Sequence, residues 1–421
     1  MKKEIRVYSP LISDKRLHAA RRAGLPYRKL PREKSIEISA SLEILRSDGN
    51  GGLLPPGQLQ RSLKPSESEF IESERLISKA DFSYYLSRYH SVERDPGVDR
   101  GEGIGPTAPL ESQVQFIRLL GKREEEVHAE FAKHKHTEGI RILAHKCRQV
   151  LFTSTSRALT LHRMIFWPGT RAFAGTLDPD GCGELYKRDT LSLSRLPWWL
   201  HPGELYPDVK NTEIGFPAPI NSRLLYQPEN QKTGIGVGTQ QDVSHLTEVA
   251  LWNYPHQIGF SFAPSLPKSR MTLHIQESTS YGKGYWYEVT EACRRREKGY
   301  ESWIYIFVPW WFNRNKYRSI CPDSWHPSDH TVKHAELIER TSPEWNNGIT
   351  VHPTRGQLFW WESERAKYAR EGKLASFLNS YPATPDQSFT NWNEGALPAE
   401  LIEEMELDLR IPKPYEAQVS A

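Results

Sequence analysis

The chain has 421 residues, which suggests two or three domains at roughly 150 residues each. Its 38% hydrophobic content includes 13 Trp, 18 Tyr and 15 Phe, enough for a sizeable core, and a net charge of +3 excludes a chain that is polycationic throughout. No signal peptide and no apolar run approaching ~18 residues is visible, and the four cysteines are far apart without a C-x-x-C pair, so we expect a soluble intracellular protein without a zinc site.

The N-terminal segment is strongly basic. Residues 1–34 contain eleven Lys and Arg against three acids, a local net charge of +8. Such blocks are usually solvated tails and less often nucleic-acid arms. Because Gly, Pro and Ser are frequent after this block, residues 1 to about 70 are expected to be extended or poorly packed, and we assign residues 1–75 to a partly disordered arm.

The middle of the chain alternates between strand and helix patterns. An aromatic helix is predicted at 80–89, and helical patterns follow at 113–120 and 124–135. The alternation that follows favours a mostly parallel α/β sheet flanked by helices. Its predicted elements are strands at 142–144, 172–174, 223–226, 243–246, 271–275 and 303–308, with helices from Ala158 to Ile165 and over 285–296.

The segment from Gly139 to Trp167 predicts a strand, a polar loop and a helix. A helix N-terminus after a buried strand directs backbone N–H groups toward one point, which is how phosphates are bound. The loop departs from the pattern G-x-x-x-x-G-K-[ST], since Phe152 stands at the lysine position. Thr153 keeps the hydroxyl that would contact Mg²⁺, and Lys146 is the available cation. An ordinary strand–turn–helix is the alternative.

Two further stretches carry potential chemistry. Val243 to Leu246 is a β-prone run that ends near Glu248, and ligands collect beyond the carboxyl ends of strands in open α/β sheets. Nucleotide hydrolysis needs a carboxylate there to orient or deprotonate water, and Glu248 is the candidate base; a surface glutamate is the alternative. Thr247 occupies the position of the usual Mg²⁺-linked aspartate. The loop at Ser278 and Thr279 is suited to sensing a γ-phosphate, although alone it is only a turn.

Taken together and in this order, these stretches resemble the large terminase subunit of tailed phages, the ATP-driven motor that packages double-stranded DNA. The resemblance extends from about Ala80 to Phe389. Its motifs are Lys146-x-Arg148-Gln149-x-x-x-Thr153-Ser154, Leu196-Pro197-x-Trp199-Leu200-x-Pro202, Gly234-x-Gly236-x-Gly238-Thr239, Ser244-His245-Leu246-Thr247-Glu248, Glu277-Ser278-Thr279-Ser280-x-Gly282, Phe307-x-Pro309-Trp310-Trp311, Gln357-Leu358-x-Trp360-Trp361 and Tyr381-Pro382-Ala383-Thr384-Pro385-x-x-x-Phe389.

The resemblance implies a P-loop NTPase-like fold that uses ATP and Mg²⁺. ATP would bind between the loop Lys146–Thr153 and Glu248, the catalytic carboxylate. The implied partners are double-stranded DNA, the portal protein and the small terminase subunit. The resemblance also implies a homo-oligomeric ring on the portal, which acts in the host cytoplasm while it is docked on the procapsid. By resemblance, Lys146 is the phosphate lysine, Thr153 supplies the Mg²⁺ hydroxyl, and Gln149 and Ser154 contact phosphate from the loop. Ser278 and Thr279 form the coupling loop. Arg148 either contacts phosphate or forms a scaffold ion pair, and Gln113 either recognises adenine or lies on a helix surface.

Three departures from the family pattern matter. Leu151 occupies the usual glycine of the loop, and a branched side chain disfavours a positive φ. Val237 stands where the glycine-rich turn is often basic. The chain ends about thirty residues after Phe389, where the family's nuclease domain normally begins, so nuclease activity is not expected and a separate nuclease chain is a possible partner. The expected domains are an ATPase core at 76–330, a lid at 331–395 and a tail at 396–421.

Two other functions stay open from the sequence. One is a helicase-like nucleic-acid ATPase, which is disfavoured because the acidic motif is Leu-Thr-Glu without an Asp-Glu-x-[HD] run. The other is a degenerate, non-catalytic packaging protein that binds DNA or portal, which Leu151 favours.

Overall fold

The computed structural model describes residues 32–47, 54, 58–93, 104–105, 111–202, 212–229, 234–236 and 240–389. The helices of this part are α1 (Arg32–Leu45), α2 (Pro65–Ala80), α3 (Phe82–Arg88), α4 (Glu111–His134), α5 (Phe152–Phe166), α6 (Pro179–Ser194), α7 (Tyr285–Arg294), α8 (Asp329–Trp345), α9 (Arg355–Arg370) and α10 (Leu374–Ser380). The strands are β1 (Val92–Glu93), β2 (Ile104–Gly105), β3 (Ile140–Lys146), β4 (Arg171–Thr176), β5 (Glu213–Gly215), β6 (Arg223–Pro228), β7 (Val243–Thr247), β8 (Leu273–Ser278) and β9 (Ile304–Val308).

Seven of these strands form one sheet in the order β5-β6-β4-β7-β8-β3-β9. β4 pairs in parallel with β6 and with β7, and β7 pairs in parallel with β8. The short strand β5 runs antiparallel to β6. The prediction of a mostly parallel α/β sheet flanked by helices is confirmed.

The described residues fall into two compact units. The first contains those up to Leu143, together with Leu151–Glu277 and Arg296–Ile304. The second contains Ala144–Val150, Ser278–Arg295 and the described residues from Tyr305 onward. The domain boundaries at 75, 330 and 395 therefore stay predictions.

The core of the first unit is built around α5. Its side chains at Ala158, Leu161 and Met164 are wholly buried, as expected for a helix that covers a parallel sheet. The ring of Tyr85 on α3 packs at 5.1 Å from His162, and the α3 N-terminus is capped by Asp81, which accepts from the backbone N–H groups of Ser83 and Tyr84. The aromatic helix expected at 80–89 is thus α3.

The second unit has an aromatic core of its own. Trp310, Trp311 and Trp361 are fully buried, and the ring of His334 stacks on that of Trp361 at 3.7 Å. The indole Nε1 of Trp311 donates to the carbonyl of Ala383 at 3.1 Å, which anchors the segment after α10.

The expectation that residues 1 to about 70 are extended or poorly packed is wrong for two stretches. Residues 32–45 form α1, and α2 begins at Pro65. Leu42 and Leu45 on α1 are buried, and with Ile38 they follow the helical spacing i, i+4, i+7. That signal is short and surrounded by charged residues. Residues 1–31 and the tail 396–421 lie outside the described part.

The glycine that precedes β3 is required by close backbone approach. Gly139 has φ +74°, and a Cβ there would lie 2.6 Å from the carbonyl oxygen of Thr272 and 2.8 Å from that of Ser269. These backbone oxygens lie in the turn that leads into β8 and cannot move aside cheaply. Gly169 has a similar φ of +80° but no atom within 4 Å of a Cβ.

Gly139→Ala should therefore lower the melting temperature clearly more than Gly169→Ala. Both variants place a Cβ in the left-handed region, at a cost of about 1–2 kcal/mol, and Gly139→Ala alone adds the steric overlap. Thermal unfolding followed by circular dichroism measures the difference. Equal losses in the two variants would show that the close approach at Gly139 is unimportant.

Candidate functional site

The connection between β3 and α5 contains two non-glycine residues in the left-handed region. Gln149 has φ +53° and Leu151 has φ +56°. Leu151 is the N-cap residue of α5 and makes no side-chain capping hydrogen bond. The backbone therefore keeps the conformation that glycine favours, with a leucine in place, at a cost on the order of 1–2 kcal/mol.

A buried carboxylate is the centre of the candidate residues of the first unit. Glu277 is fully buried, and its Oε1 accepts from Thr153 Oγ1 at 2.6 Å and from Thr247 Oγ1 at 2.7 Å. His245 Nε2 lies 3.2 Å from the same oxygen. Burial lowers the pKa of His245, so the ring is neutral and donates through Nε2–H. Buried charge is tolerated when it is hydrogen-bonded in this way.

The sheet register explains why these side chains meet. Thr247 and Glu277 are direct partners in the parallel pairing of β7 with β8. His245 precedes Thr247 by two residues, so both point to the same face of the sheet. Thr153 lies in the first turn of α5, which covers that face. The carboxyl ends of two neighbouring strands and a helix N-terminus therefore converge.

Glu248, the candidate base, follows β7 directly. Its φ is +54°, again left-handed, and its side chain is half-buried. Its carbonyl accepts from the N–H of Leu251, which closes the short 3₁₀ turn Val249–Leu251. A non-glycine residue in this conformation is strained, and such strain is concentrated at functional sites.

Gln113, the candidate for adenine recognition, is buried on α4. Its Nε2 donates to Thr155 Oγ1 at 2.7 Å, and that hydroxyl in turn donates to the carbonyl of Leu151 at 2.9 Å. Gln113 thus supports the first turn of α5 rather than lying on an exposed helix surface. Recognition of a base by this residue stays a prediction.

The first unit also contains a cavity of about 440 Å³ that the sequence did not indicate. Ser154 and Arg157 line it from α5, and Leu151 lines it from the N-cap of that helix. Arg157 forms a buried ion pair with Asp189 on α6, at 2.5 Å between Nη2 and Oδ2. The other residues that line the cavity are His90, Ser91, Val92, Glu184, Lys187, Arg188 and Leu191.

The cation candidates belong to the second unit. Lys146 is buried at the end of β3, whereas Arg148 and Gln149 are exposed. The backbone of Arg148 is held from both sides, since its N–H donates to the carbonyl of Ser380 and its carbonyl accepts from the hydroxyl of Tyr317. The guanidinium and the Gln149 amide are thereby presented on a fixed backbone.

The coupling candidates Ser278 and Thr279 are buried beside a hydrogen-bonded relay in the same unit. His145 lies 3.0 Å from the hydroxyl of Tyr305 through Nδ1 and 2.7 Å from Ser280 Oγ through Nε2. Ser280 Oγ then donates to Ser388 Oγ at 3.0 Å. Burial lowers the pKa of His145 to about 3, so the ring is neutral and bridges a donor and an acceptor. Sequence reasoning missed His145 and Ser388, because His145 lies just before the motif that starts at Lys146 and Ser388 stands at an unspecified position of the motif that ends at Phe389.

Three further points concern the glycine-rich turn, metal-binding groups and membrane-spanning helices. Val237, in the glycine-rich turn, lies outside it. No group of three or more His, Cys, Asp and Glu side chains suited to a metal ion occurs among the residues described. In the same part of the chain, no helix has the length and apolar character needed to cross a bilayer.

Comparisons with known proteins find similarity in solved structures alone. No family model and no curated protein matches the chain. The crystal structure of the HK97 bacteriophage large terminase matches with a TM-score of 0.44 and 13% identity, over 74% of this chain and 55% of that one. The chain therefore matches about half the length of that terminase.

Two structures of the large terminase ATPase domain of Thermus phage P74-26 match as well. The domain matches with a TM-score of 0.40 and 13% identity over 65% of this chain and 99% of that one. A mutant form of it matches with the same TM-score and identity over 60% and 92%. These proteins belong to the family that the sequence motifs resemble.

Leu151→Gly should raise the melting temperature relative to Leu151→Ala. Both variants remove the half-buried leucine side chain, but only glycine removes the left-handed strain, which is worth about 1 kcal/mol or more. The Ala variant is thus the matched control for lost contacts. An Ala variant as stable as the Gly variant would mean that residue 151 is not strained.

Acid should destabilise the protein from pH 6.5 downward. Burial lowers the pKa of His274 to about 3, and the same holds for His90, His145 and His162. An unfolded histidine takes up its proton near pH 6.5, so stability present above that pH is lost as the pH falls toward 3.

His274→Asn should reduce the loss of folding stability in acid, because one fewer histidine takes up a proton on unfolding. The asparagine keeps a donor near Ser244, whose Oγ lies 2.7 Å from His274 Nδ1. Melting temperatures between pH 7 and 4 measure the slope, and the exposed His128→Asn serves as control. A slope unchanged by the His274 substitution would contradict the assignment of a buried neutral ring.

Proposed function

We propose that this chain is an ATP-hydrolysing motor of the large-terminase type. The observation that carries the proposal is the convergence in the first unit. The first turn of α5 supplies Thr153, the end of β8 supplies Glu277, and Glu248 follows the end of β7. A hydroxyl and two carboxylates beside a helix N-terminus, beyond the carboxyl ends of parallel strands, are what nucleotide hydrolysis requires.

The donor set of this region fits magnesium. Hydroxyl and carboxylate oxygens are hard ligands of the kind that Mg²⁺ prefers, and Mg²⁺ in nucleotide sites is held by one or two protein groups together with phosphates and water. Thr153 would supply the hydroxyl. When bound, the ion neutralises charge on the β- and γ-phosphates.

Glu248 would act on the attacking water. Its carboxylate accepts the water proton as the water oxygen bonds to the γ-phosphorus, and the bond from phosphorus to the bridging oxygen of ADP breaks. The left-handed backbone at Glu248 turns the chain abruptly at the end of the fully buried strand β7. A half-buried carboxylate can both reach water and be positioned by its neighbours.

The phosphate-binding role of Lys146, Arg148, Gln149 and Ser154 belongs to the same proposal. The exposed side chains of Arg148 and Gln149 stand on a backbone that is fixed by Ser380 and Tyr317, which suits contact with a polyanion. Lys146 would pair with the phosphates as a point charge.

Coupling would use the relay of the second unit. Ser278 and Thr279 precede Ser280, which connects His145 to Ser388. A change in the position of Ser280 would break its hydrogen bonds to both His145 and Ser388. Through these bonds, the presence of a γ-phosphate would be transmitted to the predicted lid at 331–395.

The work done by hydrolysis would be the translocation of double-stranded DNA. The order of the sequence motifs supports this part of the proposal. It also supports the portal protein and the small terminase subunit as partners, and a homo-oligomeric ring that acts on the procapsid in the host cytoplasm. Contacts to DNA phosphates would supply most of the affinity for DNA. The basic residues 1–34 have the charge that suits such contacts.

Glu248→Gln should abolish ATP turnover while ATP binding persists. The substitution keeps the size of the side chain and removes the base, which typically contributes on the order of 10²- to 10⁴-fold in rate. Steady-state phosphate release measures turnover. The rise in melting temperature at millimolar ATP·Mg²⁺ measures binding, because a ligand of the folded state stabilises it.

Glu125→Gln, at an exposed position on α4, is the matched control and should hydrolyse ATP at the parent rate. Parent-like turnover in Glu248→Gln would exclude Glu248 as the catalytic carboxylate. No ATP-dependent rise in melting temperature in the parent would refute the motor and favour a non-catalytic packaging protein.

A further inference from the structure

The strand that precedes the candidate base lacks the acid that would help to hold magnesium. In P-loop NTPases the ion is held by the loop Ser or Thr and by an aspartate on the strand that precedes the catalytic acid. Thr247 occupies that position in this chain. A threonine hydroxyl has no negative charge, so a chain that uses ATP·Mg²⁺ needs a carboxylate from elsewhere.

Glu277 is placed to supply that carboxylate from the neighbouring strand. It is the direct register partner of Thr247 across the parallel pair β7–β8. Neighbouring strands are about 4.8 Å apart, and glutamate is one methylene longer than aspartate, which recovers part of that distance. The Oε1 atom ends 2.6 Å from Thr153 Oγ1 and 2.7 Å from Thr247 Oγ1.

The hydrogen bonds distinguish this arrangement from a carboxylate buried only for packing. Thr153 and Thr247 both donate to the same oxygen, with His245 Nε2 nearby at 3.2 Å. A hydroxyl that donates to a carboxylate has its lone pairs left for a cation, so Thr153 is oriented as a metal ligand.

We propose that Glu277 replaces the missing aspartate as the positioning carboxylate of the Mg²⁺ site, by holding the Thr153 hydroxyl and supplying negative charge. The inference rests on the proposed ATPase function and specifies its cation site. Thr247 acts as a donor that holds Glu277 toward Thr153. The acid of this cation site is therefore on β8, at Glu277, and not on the neighbouring strand β7, at Thr247.

The test compares Glu277→Gln with the exchange variant Thr247→Asp/Glu277→Thr. Glu277→Gln keeps the shape and an acceptor oxygen but removes the charge, so Mg²⁺ or Mn²⁺ affinity in the presence of ATP should fall on the order of 10- to 100-fold. The exchange variant returns the acid to β7 and should recover much of that affinity. Glu125→Gln is the control with a lost carboxylate elsewhere.

Two readouts do not depend on hydrolysis. Mn²⁺ binding in the presence of ATP is followed by electron paramagnetic resonance. ATP affinity with Mg²⁺ and with EDTA is followed by calorimetry. The parent should bind ATP more tightly with Mg²⁺, and Glu277→Gln should lose that difference while its affinity in EDTA stays near the parent value.

Each outcome decides the proposal. Parent-like Mn²⁺ affinity in Glu277→Gln would overturn the role of Glu277 and leave the ATPase proposal standing. If Glu277→Gln does not fold, the folded exchange variant decides, since Mn²⁺ affinity near the parent value supports the relocation and its loss overturns it. No ATP binding by the parent under either condition would overturn the ATPase proposal itself.

Discussion

The in-register pairing of β7 with β8 is the constraint on which the candidate site depends. It places the side chains of Thr247 and Glu277 next to each other at the carboxyl ends of two strands. A fully buried carboxylate must be hydrogen-bonded, because its desolvation is otherwise too costly. Thr153 supplies one of the required donors from α5. The burial of one acid thus ties a helix N-terminus to the end of the sheet.

The sequence predicted most of the sheet because its central strands, β3, β4, β7 and β8, are buried runs with clear limits. The six strands expected from apolar runs correspond to β3, β4, β6, β7, β8 and β9. In contrast, α6 was missed. Its buried positions include Asp189 and Ser192 as well as Leu185 and Leu193, so polar residues interrupt the apolar stripe. Asp189 is buried because it pairs with Arg157, a contact that no local pattern reveals.

The candidate site was predictable in its local parts but not in its contacts. Thr153 and Glu248 stand out because each follows a strand at a position with a known chemical use. Glu277 did not stand out, since in sequence it is one residue before a Ser-Thr-Ser turn, 124 residues from Thr153. Its proximity to Thr153 depends on strand order and register, which a parallel sheet builds from residues far apart in the chain.

Left-handed backbone at Leu151 and Glu248 adds a second physical feature to this region. Each costs on the order of 1–3 kcal/mol, and such conformations persist where the surrounding structure imposes them. α5 and the 3₁₀ turn after β7 begin immediately after these residues. The strain therefore lies at the start of α5 and at the end of β7, the two elements that supply Thr153 and Thr247 to Glu277.

A motif describes a cation site by sequence position, whereas the ion responds only to where oxygen atoms lie. In a parallel sheet, register partners on neighbouring strands project to the same side at the same height, so an acid on the neighbouring strand can serve the same site if its side chain spans part of the roughly 4.8 Å between the strands. Glutamate has one more methylene than aspartate, so its carboxylate reaches further across the gap between neighbouring strands. Thr247 is then an expected residue at its position, because a second carboxylate beside Glu277 would add like-charge repulsion in a buried environment. Under the proposed cation site, the absence of the usual aspartate is accounted for by Glu277, and the hydrogen bond from Thr153 to Glu277 is the observation that supports the proposal.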